Sequence, residues 1–195
     1  MQTVILASSN SGKINEFSTL LSGIFNIVPQ REYGLTTPAE TGLSFIENAL
    51  IKARYISKQS KMPAIADDSG LAVDVLGGAP GIYSARYAGK NSSDQQNITK
   101  LLNQMHGIAQ HERHAQFHCA IAYLRHPDDP LPIVAQGSWS GVILSQMQGT
   151  GGFGYDPVFY LPDKQCTAAE LNPAEKNRLS HRAQALRMFL QAYQC

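Results

Sequence analysis

Apolar positions along the chain alternate between a spacing of two and a spacing of three or four, which predicts strands and helices in succession. Thr3 to Ala7 (TVILA) is a short β-rich run. Ile14, Phe17, Leu21 and Ile24 then recur at helical spacing, and Asn26 to Pro29 reads as a second strand. Ser44 and Glu47 form a capping-box signature ahead of Phe45, Ala49, Ala53 and Ile56, predicting a helix over about 44–59. Ala64 to Ala66 and Leu71 to Leu76 read as two strands parted by a turn at Asp67-Asp68-Ser69-Gly70. Asp94 to Met105 reads as a helix behind a Ser92 or Ser93 cap, and Phe117 to Leu124 and Ile133 to Ile143 as a hairpin. Val158 to Leu161 reads as a strand, and Ala183, Leu186, Leu190 and Tyr193 share a helical face that begins after Ser180. The expected fold is α/β, a mixed β-sheet flanked by helices.

Length narrows this to a single domain, residues 1–195, since domains usually run to roughly 100–200 residues, and burial of about 70% of the unfolded surface suffices for an apolar core without disulfides or a structural metal. No repeat or linker divides it. Sixteen Lys and Arg against fifteen Asp and Glu leave a formal charge of +1, so no field draws polyanions and a nucleic-acid partner is not expected. The three cysteines, Cys119, Cys166 and Cys195, lack metal spacing and fit a reduced compartment. No apolar run approaches about 18 residues and the first residues lack a signal-peptide pattern, so a cytoplasmic protein without a membrane partner is expected.

Several short segments could carry chemistry, each with an ordinary alternative. Ser8-Ser9-Asn10-Ser11-Gly12-Lys13 stands where a strand hands over to a helix, and free amides, the helix dipole and a lysine there suit a phosphate. It is not a Walker A loop, and alone it reads more readily as an ordinary polar turn. The adjacent carboxylates of Asp67 and Asp68 suit a hard cation such as Mg²⁺ or the activation of a water, or else simply cap a turn. Glu40 and Glu47 are further acidic candidates, although the capping box already employs Glu47. Gly149 to Gly154 holds four glycines in six residues, a backbone that a ligand can approach closely. Phe153-Gly154-Tyr155-Asp156 follows with an aromatic face for a nucleobase, or for the core. Lys176, His181 and Arg182 supply directional donors near the last helix, or surface charge and a cap.

Taken in order, SSNSGK at 8–13, ETGLSFIENALIKA at 40–53, ADDSGLAVDVLGGAPGIYSARYAG at 66–89, GGFGYDPVF at 151–159, TAAEL and KNRLSHR ending at Arg182 resemble the inosine triphosphate pyrophosphatase family, also called XTP/dITP diphosphatases. The resemblance spans nearly the whole chain. It implies an elongated molecule with two lobes about a central active-site cleft, a homodimer, and hydrolysis of dITP, ITP and XTP to monophosphate and pyrophosphate. It assigns Mg²⁺ to Glu40 and Asp68, with Asp68 also the base and Asp67 a secondary candidate. It assigns the triphosphate to Ser8 through Lys13 with Ser69, and the base to Phe153, Gly154, Tyr155, Asp156, Lys176, His181 and Arg182. A Maf-like pyrophosphatase with another base preference and a non-catalytic nucleotide sensor are the competing readings. The acidic pair disfavours the sensor, since it repels phosphate unless a cation is present.

Overall fold

The computed structural model describes residues 1–194, so Cys195 lies outside the described residues. Strands β1 (Gln2–Leu6), β2 (Phe25–Pro29), β3 (Ala64–Val73), β4 (His114–Leu124), β5 (Ile133–Ile143), β6 (Phe159–Leu161) and β7 (Cys166–Thr167) form one seven-stranded sheet, ordered β2-β1-β3-β4-β5-β6-β7. β1 runs parallel to β2 and β3, with Val4 opposite Ile27 and Ile5 opposite Ala64, whereas β6 runs antiparallel to β5 and β7. The sheet is therefore mixed, and the expected α/β class is observed. Helices are α1 (Ser11–Leu20), α2 (Phe45–Ser60), α3 (Asp94–Gln104), α4 (Pro173–Leu179) and α5 (His181–Gln194). Among the described residues no helix is long and apolar enough to cross a membrane.

The chain forms two compact units, one from residues 1–68, 119–137 and 182 onward, the other from 69–118 and 138–181. In the first unit the parallel strands are buried on both faces, as the unbroken TVILA run requires. Val4, Leu6 and Ile65 join Ile14 and Phe17 of α1 and Ala185, Leu186 and Phe189 of α5 in one core cluster. Ile5, Ala7, Ala64 and Ala66 join Ala49, Ala53 and Ile56 of α2 in another. Successive strand residues therefore serve opposite faces. In the second unit Leu71, Val73, Ile98, Leu101, Phe117, Tyr155 and Phe159 form the core. The buried Arg113 guanidinium donates to the Ile143 and Met105 carbonyls at 2.6 and 2.9 Å.

Three sequence expectations need correction. The turn at Asp67 to Gly70 does not form: β3 runs unbroken from Ala64 to Val73. Turn propensity is a local preference, and here burial with ion pairing of both carboxylates overrides it. The strand expected to reach Leu76 ends at Val73, because Asp74–Leu76 is a 3-10 turn closed by Gly77 at φ 62°. The helical face expected through Ile24 stops earlier, at Leu20, although Leu21 and Ile24 still pack into the α1 core. Helix α4 went unpredicted despite Asn172 at its N-cap and Pro173 in its first turn.

Gly141 tests how closely the second unit packs. A Cβ there would stand 2.6 Å from Cζ of Phe159 and 2.7 Å from the Tyr160 carbonyl. Gly141→Ala is expected to cost about 1–3 kcal/mol in urea denaturation, and an unchanged midpoint would show that β6 can yield.

Candidate active site

Period-two alternation along β3 sends Asp67 and Asp68 to opposite faces of the sheet. Asp67 follows Ile65 toward α1 and α5, while Asp68 follows Ala66 toward α2. Each carboxylate meets cations on its own side. Oδ2 of Asp67 lies 2.9 Å from Lys13 Nζ and 3.2 Å from Arg182 Nη2, and Arg182 also pairs with Glu16 of α1. Burial works to raise the Asp67 pKa, but Lys13, Arg182 and Lys52 outweigh it and hold the carboxyl well below its usual range. Its other oxygen, Oδ1, is buried without a hydrogen-bond partner among the described residues. The nearby Cys119 thiol, 4.0 Å from Asp67 Oδ2, is pushed up to about 12 by burial and by Asp67, and is no nucleophile at neutral pH.

On the α2 side, Lys52 Nζ stands 2.8 Å from Asp68 Oδ1 and 2.7 Å from Glu40 Oε1, so one ammonium bridges two carboxylates. Asn48, one turn earlier on the same helix, donates from Nδ2 to Asp68 Oδ2 at 3.2 Å. The Lys52 pKa is raised: burial lowers it, but Asp68, Asp67 and Glu40 prevail. The Asp68 pKa is raised by burial, with Glu40 adding to it, against the opposing pull of Lys52. Two carboxylates against one ammonium leave a formal charge of −1 on this face. Ser44 caps α2, but the reciprocal half of the expected capping box does not form: the Glu47 carboxylate accepts from the Leu43 amide and the Ser44 hydroxyl at 2.8 Å each.

The first loop is short and its polar groups are ordered by the helix it opens. Asn10 is the N-cap of α1, its Oδ1 accepting from the Lys13 amide at 3.0 Å, while Ser8 Oγ accepts from the Asn10 amide at 3.2 Å. Ser9, Asn10 and Ser11 are exposed. The arrangement presents hydroxyls at a helix N-terminus, a place that favours an anion. Gly12 lies inside the first turn of α1.

In the second unit Gly152 and Gly154 adopt φ of 72° and 60°, which only glycine takes without strain. The turn they build lets Asp156 Oδ2 accept from the Phe153 amide at 2.9 Å and from Lys176 Nζ at 2.5 Å. Lys176 Nζ also stands 4.6 Å from the centroid of the Phe153 ring. Phe153, Asp156 and Lys176 are thus brought together as expected. Tyr155 is in the core, its hydroxyl donating to the Ser84 carbonyl at 2.9 Å. His181 stacks on Phe117 with ring centroids 4.8 Å apart, and Ser69 is a half-buried residue of β3.

Arg182, expected beside Lys176 on a purine edge, instead has its guanidinium on Asp67 and Glu16 and is 1% exposed. It belongs to the first unit, whereas its neighbour His181 belongs to the second. Sequence reasoning missed Lys52, Asn48 and Glu16. The first two were legible as a polar pair four residues apart beside the Ala49, Ala53, Ile56 stripe, a position where α2 buries both.

The model of the Ham1 family matches residues 4–192. The chain is 56% identical to the dITP/XTP pyrophosphatase of Salmonella paratyphi A and 55% identical to that of Escherichia coli K12, each across 98% of both chains. Among solved structures, a HAM1 protein from Coxiella burnetii superposes with a TM-score of 0.91 at 45% identity, covering 100% of both chains.

Removing Arg182 should leave the buried Asp67 and the partly buried Glu16 short of a cation. Arg182→Ala is expected to lose about 3–5 kcal/mol of folding stability at neutral pH by urea denaturation. A loss below about 1 kcal/mol would mean that Lys13 and solvent compensate Asp67 unaided.

Proposed function

The chain belongs to the Ham1 family, and on that premise we propose that it hydrolyses non-canonical purine nucleoside triphosphates, dITP, ITP and XTP, to the monophosphate and pyrophosphate. The observation that carries this reading is the carboxylate pair Glu40 and Asp68 held around Lys52, beside a helix N-terminus that carries Lys13. Such a cluster with a formal charge of −1 is a poor resting place for a phosphate on its own. Its oxygen donors suit a hard divalent cation, and Glu40 and Asp68 would hold Mg²⁺. When bound, Mg²⁺ supplies neutralisation of phosphate charge and polarisation of a phosphoryl oxygen.

The side chains divide the remaining work. Asp68 would take the proton of the attacking water. Lys52 keeps that carboxylate oriented and offers positive charge where phosphate charge develops. Ser8, Ser9, Asn10, Ser11, Gly12 and Lys13 would hold the triphosphate, with Ser69 adding a polar contact. Lys13 is engaged with Asp67, which would position it. Asp67 faces α1 and α5, so its part is to order Lys13 and Arg182 rather than to share the cation of Asp68.

Phe153 would stack on the purine. Lys176, held above its ring by Asp156, would donate to the oxygen that hypoxanthine and xanthine carry at position 6. Adenine presents an amino group there, and a donor facing a donor leaves a buried group unpaired, which such sites reject strongly. Gly154 and Tyr155 shape the turn, while His181 and Arg182 belong to the same reading through the family resemblance. A homodimer of single-domain chains in the cytoplasm completes the proposal.

The direct test is a panel of ITP, dITP, XTP, GTP and ATP with Mg²⁺, following monophosphate and pyrophosphate together. Equal yields of the two from ITP, dITP and XTP, well ahead of ATP, are expected. Orthophosphate as the first product, or ATP as the better substrate, would end the proposal, and tight binding without turnover would favour a sensor. Asp68→Asn keeps the shape of the side chain but removes its charge and its affinity for a proton. Turnover should fall by at least about 100-fold with the fold intact by circular dichroism, and near-normal rates at saturating Mg²⁺ would move the base elsewhere.

A further inference from the structure

Asp94 opens α3, where an acidic residue is ordinarily explained by the helix dipole. That helix end is already capped without it. Ser93 Oγ accepts from the Gln96 amide at 3.3 Å, and Gln96 Oε1 accepts from the Ser93 amide at 2.8 Å, a complete capping box. The Asp94 carboxylate instead reaches a distant segment of the chain, where Oδ2 accepts from the Gly154 amide at 2.7 Å. Two successive amides of the base-gripping turn, at Phe153 and Gly154, therefore each end on a carboxylate, Asp156 for the first and Asp94 for the second.

We infer that Asp94 is a positioning residue for base recognition, fixing the Phe153–Gly154 peptide so that the Phe153 ring is presented at the angle a purine needs. The inference rests on the proposed activity and adds a residue to it. Gly154 has φ of 60°, and a glycine in that region has no side chain to hold it there. Its amide bond to Asp94 supplies the missing restraint. The Tyr155 hydroxyl anchors the next residue on the Ser84 carbonyl, so three consecutive residues are tied down by three separate partners. Asp156 does more than hold the turn, because it also holds Lys176, and its removal would disturb stacking and donor together. Asp94 touches the turn through one backbone amide, which makes it the cleaner perturbation.

The inference predicts an effect on the base and none on the phosphates. Asp94→Ala and Asp94→Asn would be compared with the wild type for KM and kcat on ITP and for inhibition by inosine monophosphate and by pyrophosphate, which has no base. In the Ala variant, KM for ITP and Ki for the monophosphate should rise about five- to tenfold, while kcat and Ki for pyrophosphate stay within about twofold. The Asn variant keeps an acceptor oxygen and should stay within about twofold of the wild type throughout. Parallel rises for the monophosphate and pyrophosphate, an Asn variant as impaired as Ala, or no change in the Ala variant would each overturn the inference. A wild type that turned over no ITP would instead sink the proposed activity, and calorimetric titration with inosine monophosphate would then decide the role of Asp94 by the same comparison.

Discussion

Two adjacent carboxylates on a buried strand must each be neutralised, and the pleat of the strand forbids them from sharing the solution. Asp67 and Asp68 are 1% and 5% exposed on β3. An isolated charge in such a place costs several kcal/mol even after the surroundings relax. Asp67 draws Lys13 from α1 and Arg182 from α5, and Arg182 in turn draws Glu16 back from α1. Asp68 draws Lys52 and Asn48 from α2, and Lys52 gathers Glu40. The helices that cover the two faces of the first unit are thus tied to the same two residues of the central strand.

The two networks differ in formal charge. Lys13, Arg182, Asp67 and Glu16 sum to zero. Lys52, Asp68 and Glu40 sum to −1, and this excess of negative charge is why the proposed divalent cation is placed on this face. The order of residues in the motif does not distinguish the neighbouring aspartates, whereas the direction of their side chains gives them different partners.

Most of the fold was legible because its elements carry strong periodic signals. Phe45, Ala49, Ala53 and Ile56 mark α2, and Ser93 marks the start of α3 within one residue of where it forms. The failures arose where local composition and tertiary burial disagree. Asp-Asp-Ser-Gly has the makings of a turn, yet cations brought by remote segments keep it extended. Lys52 looks like any helical lysine until Asp68 and Glu40 are placed beside it, and Glu16 becomes meaningful only through Arg182, 166 positions away. The Phe153 turn was legible in its own glycines and aromatic, but its restraint by Asp94 depends on a pairing across 60 positions. Partners supplied over such separations are a property of the fold and leave no mark in the spacing of either segment.

In the proposed function Asp68 and Glu40 form the cation face, while Asp67 pairs directly with Lys13 and Arg182 on the opposite side of the strand. Titration of Mn²⁺ into the wild type, Asp67→Asn and Asp68→Asn, followed by the loss of the free-ion paramagnetic resonance signal, tests it without reference to turnover. The account predicts that Asp68→Asn weakens Mn²⁺ binding by about tenfold or more, whereas Asp67→Asn leaves it within about twofold, as long as both variants remain folded. Equal losses in the two variants, or a larger loss for Asp67→Asn, would contradict it.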